Sequence, residues 1–264
     1  MTEKLTIIVN QQTNGIARIQ LNQPQIHNAF DDVLIADLTE ALIQLNGDPA
    51  VKVLILGAEG KSFSAGADLN WMRKMADYSR DENHQDSLLL ADLMSVLYTM
   101  KCPTIAAVQG AAFGGGVGLV ACCDIALASE KASFCLSEVK LGLLPAVISP
   151  YVVKAIGERA AKRYFVTAER FNANRAAELG LVSEVVAPEE LENKVLALAQ
   201  VIINNSSPAV KDAKLIINDV LNKEIDGQLK SMTANRIANI RASSEGKEGI
   251  SAFLEKRQAN WLKE

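Results

Sequence analysis

The chain has 264 residues, 49% of them hydrophobic and 22% charged, with a formal net charge of -4. That content supports one large core with a helical appendage, and its slight acidity offers no global basic field to nucleic acid or an anionic membrane. No apolar run reaches the ~18 residues that span a bilayer, and MTEKLTIIVNQ lacks the pattern of a signal or transit peptide, so a cytoplasmic protein is expected.

Taken in chain order, residues 6–24 (TIIVNQQTNGIARIQLNQP) read as a hairpin around Asn14-Gly15. Residues 30–48 place apolar side chains at helical spacing, beginning at Asp31 or Asp32 and ending at Gly47. VKVLILGAEG (51–60) is a short continuous apolar run closed by glycines, as expected of a parallel strand covered on both faces. A helical pattern resumes over 86–100 and stops at Pro103; TIAAVQG (104–110) is the next buried strand. The segment GAAFGGGVGLVACCDIALAS (110–129) reads as glycine turn, helix, then strand. This alternation predicts an α/β fold with crossover connections. From Pro188 onward the pattern is helical over 189–204, 207–221 and 225–257, with no strand signal.

Two glycine-bearing turns each follow a predicted strand: Ser62-Phe63-Ser64-Ala65-Gly66-Ala67-Asp68-Leu69, and Gly110 through Gly118. Small residues allow close backbone approach and positive φ. A helix opening after such a turn leaves its first N–H groups free. Two such turns converging on one oxygen make an oxyanion hole. Ordinary tight turns are the competing explanation. Neither GxGxxG nor GxxxxGK[ST] spacing is present, which removes the main support for a nucleotide loop. The cysteines (Cys102, Cys122, Cys123, Cys135) form no CxxC pair and only two histidines exist, so buried reduced thiols and no metal site are expected.

In order and spacing, FSAGADL, QGAAFGGG, CDIALASEKASF and SEVKLGLLP resemble the crotonase (enoyl-CoA hydratase/isomerase) superfamily over nearly the whole chain. The resemblance implies a ββα spiral over 1–200 and a C-terminal helical region over 201–264 that builds trimers, often paired into hexamers. It also implies an acyl-CoA substrate, with coenzyme A as part of that substrate and no separate cofactor. The thioester oxygen would lie between the N–H groups of Ala67 and Gly115. Glu138 matches the family's catalytic glutamate; an apolar pocket would raise its pKa and let it exchange protons near neutrality. Gln25, Ile26 and His27 match the segment at the adenine–pantetheine bend, although relatives often carry Lys or Arg at the position of Gln25. Ala65, Gly66, Asp68 and Leu69 would line the same ligand, Gly114 and Gly118 would also be substrate-binding positions, and Phe253 and Lys256 resemble a pair that reaches a neighbouring subunit's CoA. Asp68 also reads as a helix N-cap, His27 as a packing or CoA-edge residue, and Asp124 as structural.

Gly118 departs from the pattern. Typical hydratases of the family carry a glutamate there, so one of two carboxylates is missing, and a positioned acid or base commonly contributes 10²- to 10⁴-fold in rate. Residues 112–164, with glycine at 118 and AVISPYVV at 146–153, are similar to bacterial methylglutaconyl-CoA and isohexenylglutaconyl-CoA hydratases. This favours a lyase adding water to a branched or carboxylated 2-enoyl-CoA. The alternatives are a Δ3,Δ2-enoyl-CoA isomerase with Glu138 as sole acid/base, and a non-catalytic CoA- or RNA-binding protein. The acidic balance and 5% aromatic content speak against RNA.

Overall fold

The computed structural model describes residues 5–262; the first four residues of the N-terminal peptide and the last two of the C-terminal region lie outside the described residues. The expected hairpin forms from β1 (Ile7–Gln11) and β2 (Ile16–Leu21), paired antiparallel, with Gly15 turning the chain at φ +97°. Helix α1 (Asp32–Gly47) follows, its Asp31 carboxylate accepting the Leu34 N–H as an N-cap. It lays Leu34, Ile35, Leu38, Leu42 and Leu45 into the core.

Three times thereafter the chain runs strand, short strand, helix. β3 (Val53–Ala58) leads to β4 (Ser62–Ser64), then α2 (Leu69–Ala76) and α3 (Arg80–Tyr98). β5 (Thr104–Val108) leads to β6 (Ala111–Phe113) and α4 (Gly115–Cys122). β7 (Ile125–Ser129) leads to β8 (Ser133–Cys135), a 3-10 turn at Glu138–Leu141, and α5 (Ser149–Thr167). β9 (Phe171–Asn172), α6 (Ala173–Leu179), β10 (Glu184–Val186) and α7 (Leu191–Ile203) complete the spiral. One sheet has six strands ordered β1-β2-β3-β5-β7-β10, and a second has four short strands ordered β4-β6-β8-β9. Pairings are parallel except β1 with β2 and β8 with β9. This is the ββα spiral that the motif series implied.

The central strands β3 and β5 of the large sheet are buried on both sides, which is why they read as continuous apolar runs. Leu54, Leu56, Ala106 and Val108 face the main core, whereas Val53, Ile55, Ile105 and Leu127 face α7. That helix answers with Leu191, Val195, Ala199 and Ile203, one residue per turn. Burying each of its larger side chains contributes roughly 1.5–3 kcal/mol.

Several elements differ from the pattern-based expectation. α3 starts six residues before residue 86, because Ser79 and Glu82 form a reciprocal capping box. The expected helix over 225–257 is two helices, α9 (Gly227–Ala242) and α10 (Ser244–Leu254). Ser243 is extended (ψ 164°) and caps α10 through Gly246 N–H, and a Cβ at Gly246 would lie 2.0 Å from the Ile240 carbonyl oxygen. So close a turn excludes one continuous helix. The short strands of the second sheet, and β10, carried no periodic signal.

Among the described residues, neither hydrophobic core draws on the chain beyond Ile203. α8 (Ser207–Val220) and α9 have no fully buried residue. They are tied by Arg236, which pairs with Asp212 at 3.6 Å and with Asp219. Among the described residues, no helix is long and apolar enough to cross a membrane. The cysteines are free, and burial pushes the Cys123 thiol up to about 12.

Candidate active site

β4, β6 and β8 run parallel and end side by side, so the segments leaving them emerge at one edge of the small sheet. Those segments are Ala65-Gly66-Ala67, Gly114-Gly115 and Ser137-Glu138. The carboxyl ends of parallel strands are where α/β folds place ligands.

Ala67 forms a parallel bridge with Phe30. The Phe30 N–H donates to Gly66 O, and the Asp68 N–H donates to Phe30 O, each at 2.7 Å. Peptide groups alternate sides along an extended chain, so the Ala67 N–H points away from Phe30. Among the described residues it has no hydrogen-bond partner. Gly115 opens α4, and Gly114 ahead of it has no side chain with which to cap the helix. The Gly114 N–H goes to Cys135 O at 2.9 Å, while the Gly115 N–H also lacks a partner among the described residues. The first amides of a helix have no intrahelical acceptor and lie at its positive end. Each of the two turns therefore offers at least one free donor.

Glycine is required where these segments meet. Gly114 sits at φ +50°, and a Cβ there would lie 3.2 Å from Glu138 Oε1 and 3.9 Å from Gly66 Cα. Gly66, at φ +91°, passes so close to Phe113 that its Cβ would be 3.3 Å from that carbonyl oxygen. Glu138 is half-buried, and its Oε2 is enclosed without a hydrogen-bond partner. Burial pushes its pKa above the ordinary value of 4.5, opposed by a backbone hydrogen bond. Gly118 lies one turn further along α4; Ile148, not a carboxylate, fills the space beside it.

The expected CoA segment borders this edge. Gln25 and Ile26 lie in a 3-10 turn (Pro24–Ile26), and His27 and Asn28 both take left-handed backbone angles, at φ 55° and 54°. His27 is exposed; its carbonyl accepts the Ala65 N–H at 3.0 Å and its Nδ1 lies 3.1 Å from Ser62 Oγ. Ala65, Ala67 and Leu69 are exposed, and Asp68 caps α2 by accepting from Asn70 and Trp71 N–H, at 2.7 and 3.1 Å. Phe253 and Lys256 lie at the end of α10 and just beyond it, in a region that shares neither core with the site, and Phe253 is 83% exposed. Within one chain the fold unites Ala67, Gly115, Gly66, Gly114 and Glu138 but does not bring this pair to them. Asp124 is structural: it pairs with Lys214 at 2.7 Å and accepts from the Thr104 N–H and hydroxyl.

Sequence reasoning missed Asn28 and Gln109. Asn28 is fully buried; its amide donates to Glu59 O and Ser62 O at 2.9 Å each, and its oxygen accepts the Gln23 N–H at 2.8 Å. Gln109 donates to Ala58 O at 2.8 Å and Ser62 O at 3.1 Å. Asn28 staples the loop carrying Gln25–His27 to the segment that leads to Ala67, and Gln109 ties the end of β5 to that same segment. Nothing in the linear spacing marks them, because their partners are carbonyls 31 to 51 residues away.

Free N–H donors on two neighbouring turns, at the sheet edge that also carries a carboxylate of raised pKa, are the groups with which a site polarises a carbonyl and moves a proton at a neighbouring carbon. Among the described residues no group of three or more His, Cys, Asp or Glu is placed to hold a metal ion. Known proteins are similar to this chain in fold and sequence. A crotonase-type chain of solved structure from Legionella pneumophila is 50% identical, with a TM-score of 0.94 over 97% of this chain and 98% of that one. An enoyl-CoA hydratase of solved structure from Shewanella pealeana is 44% identical, with a TM-score of 0.93 over 98% of this chain and 97% of that one. The crotonyl-CoA hydratase of Syntrophomonas wolfei is 35% identical over 97% of each chain. The profile of the enoyl-CoA hydratase/isomerase family matches residues 11–264. Matched by that profile over nearly all its length, and at least 35% identical to relatives that it covers almost end to end, the chain belongs to the enoyl-CoA hydratase/isomerase family.

Proposed function

We propose that the protein adds water reversibly to a 2-enoyl-CoA, with Ala67 and Gly115 holding the thioester oxygen and Glu138 acting as acid and base. The observation that carries this reading is the Glu138 carboxylate, whose Oε2 is enclosed without a hydrogen-bond partner, near two amides that have no protein acceptor. As water oxygen bonds to C3, Glu138 takes its proton and the displaced electron pair reaches the thioester oxygen. Each amide donor stabilises that oxyanion by ~3–4 kcal/mol. Glu138 then returns the proton to C2 on the same face. The name of the Syntrophomonas relative, a crotonyl-CoA hydratase, supports hydration as the reaction.

For the acyl group we infer a branched or carboxylated chain such as 3-methylglutaconyl. With glycine at 118, the substrate's own distal carboxylate, or a water it holds, supplies part of the support that a second glutamate gives elsewhere. Purified protein is assayed with methylglutaconyl-CoA and crotonyl-CoA; equal kcat/KM on both refutes this preference. One feature favours a second reading, isomerisation of 3-enoyl to 2-enoyl-CoA: the site's lone carboxylate suffices for a proton shuttle between C2 and C4. Gain of conjugated thioester absorbance from a 3-enoyl-CoA, without its loss from a 2-enoyl-CoA, selects it.

We further propose a homotrimer, alone or paired into a hexamer, built by residues 201–264. α8 and α9 have no fully buried residue within the chain, and Ile217, Ile225 and Ile237 are exposed; a second copy would cover them. Phe253 and Lys256 would then reach a neighbour's CoA. Sedimentation equilibrium tests this, and a monomer at micromolar concentration refutes it.

A further inference from the structure

The space beside Gly118 is filled. A Cβ built on Gly118 lies 2.3 Å from Ile148 Cγ2, 3.0 Å from Ile148 Cβ and 3.1 Å from Met94 Cε. The Met94 methyl ends a flexible chain and can swing aside. The Ile148 γ-methyl can rotate about χ1, but its Cβ is set by the backbone. That backbone is pinned, because the Ile148 carbonyl accepts the Tyr151 and Val152 N–H groups at 3.2 and 3.0 Å as α5 begins. Ser149 N–H closes the preceding turn on Ala146 O at 3.1 Å. Ile148 is 3% exposed and Met94 is fully buried. Positions 118 and 148, thirty residues apart in sequence, thus compete for one volume.

That volume adjoins the site. Gly118 follows Gly114 by one helical turn, its N–H donating to Gly114 O at 3.2 Å, and Gly114 abuts Glu138. We propose that Ile148 is a specificity-determining packing residue that holds this site to a single carboxylate. Its branched side chain occupies the place from which an acidic side chain at 118 would reach the substrate. The hydrocarbon there leaves the handling of water and proton to Glu138 and to whatever polar group the acyl chain brings. The inference rests on the reading of Glu138 as acid and base. It predicts that a second carboxylate enters only when residue 148 is cut back to glycine, since alanine keeps the Cβ that already lies 3.0 Å away.

The test is a double-mutant cycle of G118E and I148G in the full-length protein, read by thermal melting and by crotonyl-CoA hydration against pH. G118E alone should lower Tm by roughly 5 °C or more, from overpacking beside a pinned side chain, without a gain in hydration. In the I148G background the same substitution should cost much less Tm. The double variant should hydrate crotonyl-CoA roughly 10²-fold faster than G118E, with a second acidic limb in its pH–rate profile. Additive Tm losses overturn the proposal, as does a double variant no faster than G118E or one lacking the second limb. E138Q in each background separates the two readings. Turnover that survives E138Q refutes the acid/base assignment, while the Tm coupling still decides whether 118 and 148 share a volume.

Discussion

Replacing Glu138 with glutamine keeps the shape of the side chain and removes its charge and its proton. If this carboxylate is the sole acid/base, kcat should fall 10²- to 10⁴-fold, about 3–5 kcal/mol of transition-state stabilisation. The two amide donors remain, so the residual rate should still exceed that of water alone. Stability should move the other way. Glu138 Oε2 is enclosed without a partner, and burial raises the pKa in the folded state. The folded protein therefore holds a proton that the unfolded chain releases just above 4.5, and stability falls as pH rises through that window. At neutral pH, E138Q should be more stable than the parent by on the order of 1 kcal/mol, a Tm increase of about 2–4 °C. Below the ordinary carboxylate range the advantage should vanish, since Glu138 is then protonated in both states. For the parent enzyme, the acidic limb of kcat/KM for hydration should lie above 4.5, because the base form is lost as pH falls through the raised pKa. The assay pairs initial rates of thioester absorbance loss with melting curves across pH. Unchanged turnover, or a rate loss accompanied by a lower Tm, refutes the reasoning.

The other expectations are narrower. G114A forces a Cβ onto a residue at φ +50° and within 3.2 Å of Glu138 Oε1; kcat should fall at least 10²-fold, with backbone strain of about 1–3 kcal/mol, and parental kcat in this variant contradicts the geometry. N28A leaves the Glu59 and Ser62 carbonyls without their shared donor and opens a small cavity. A loss of about 2–4 kcal/mol, seen as a lower urea midpoint with a raised KM for acyl-CoA, should result; an unaltered midpoint shows that the staple is dispensable. K256A should raise KM several-fold at low salt with kcat preserved, and the difference should shrink at high salt as a phosphate contact is screened. A KM that stays constant at every ionic strength removes Lys256 from the ligand.

The sequence by itself determined the elements whose signal is local. The Asn14-Gly15 hairpin, the amphipathic run of α1, the doubly buried runs of β3 and β5, and the Asp68 cap all follow from spacing within a few residues. The glycines at 66, 114 and 115 were legible for the same reason, since close backbone approach excludes side chains wherever it occurs. The tertiary structure alone decided what depends on distant partners. Strands of two or three residues such as β4, β6, β8 and β9 have no period to read, so the second sheet, whose edge gathers the site, appeared only with pairing. Asn28 became a staple through carbonyls contributed by another loop. Gly118 read as a missing carboxylate, yet it is Ile148, thirty positions away, that fills the gap. Packing volume is a property of pairs in space, and a linear pattern records only one member of each pair at a time.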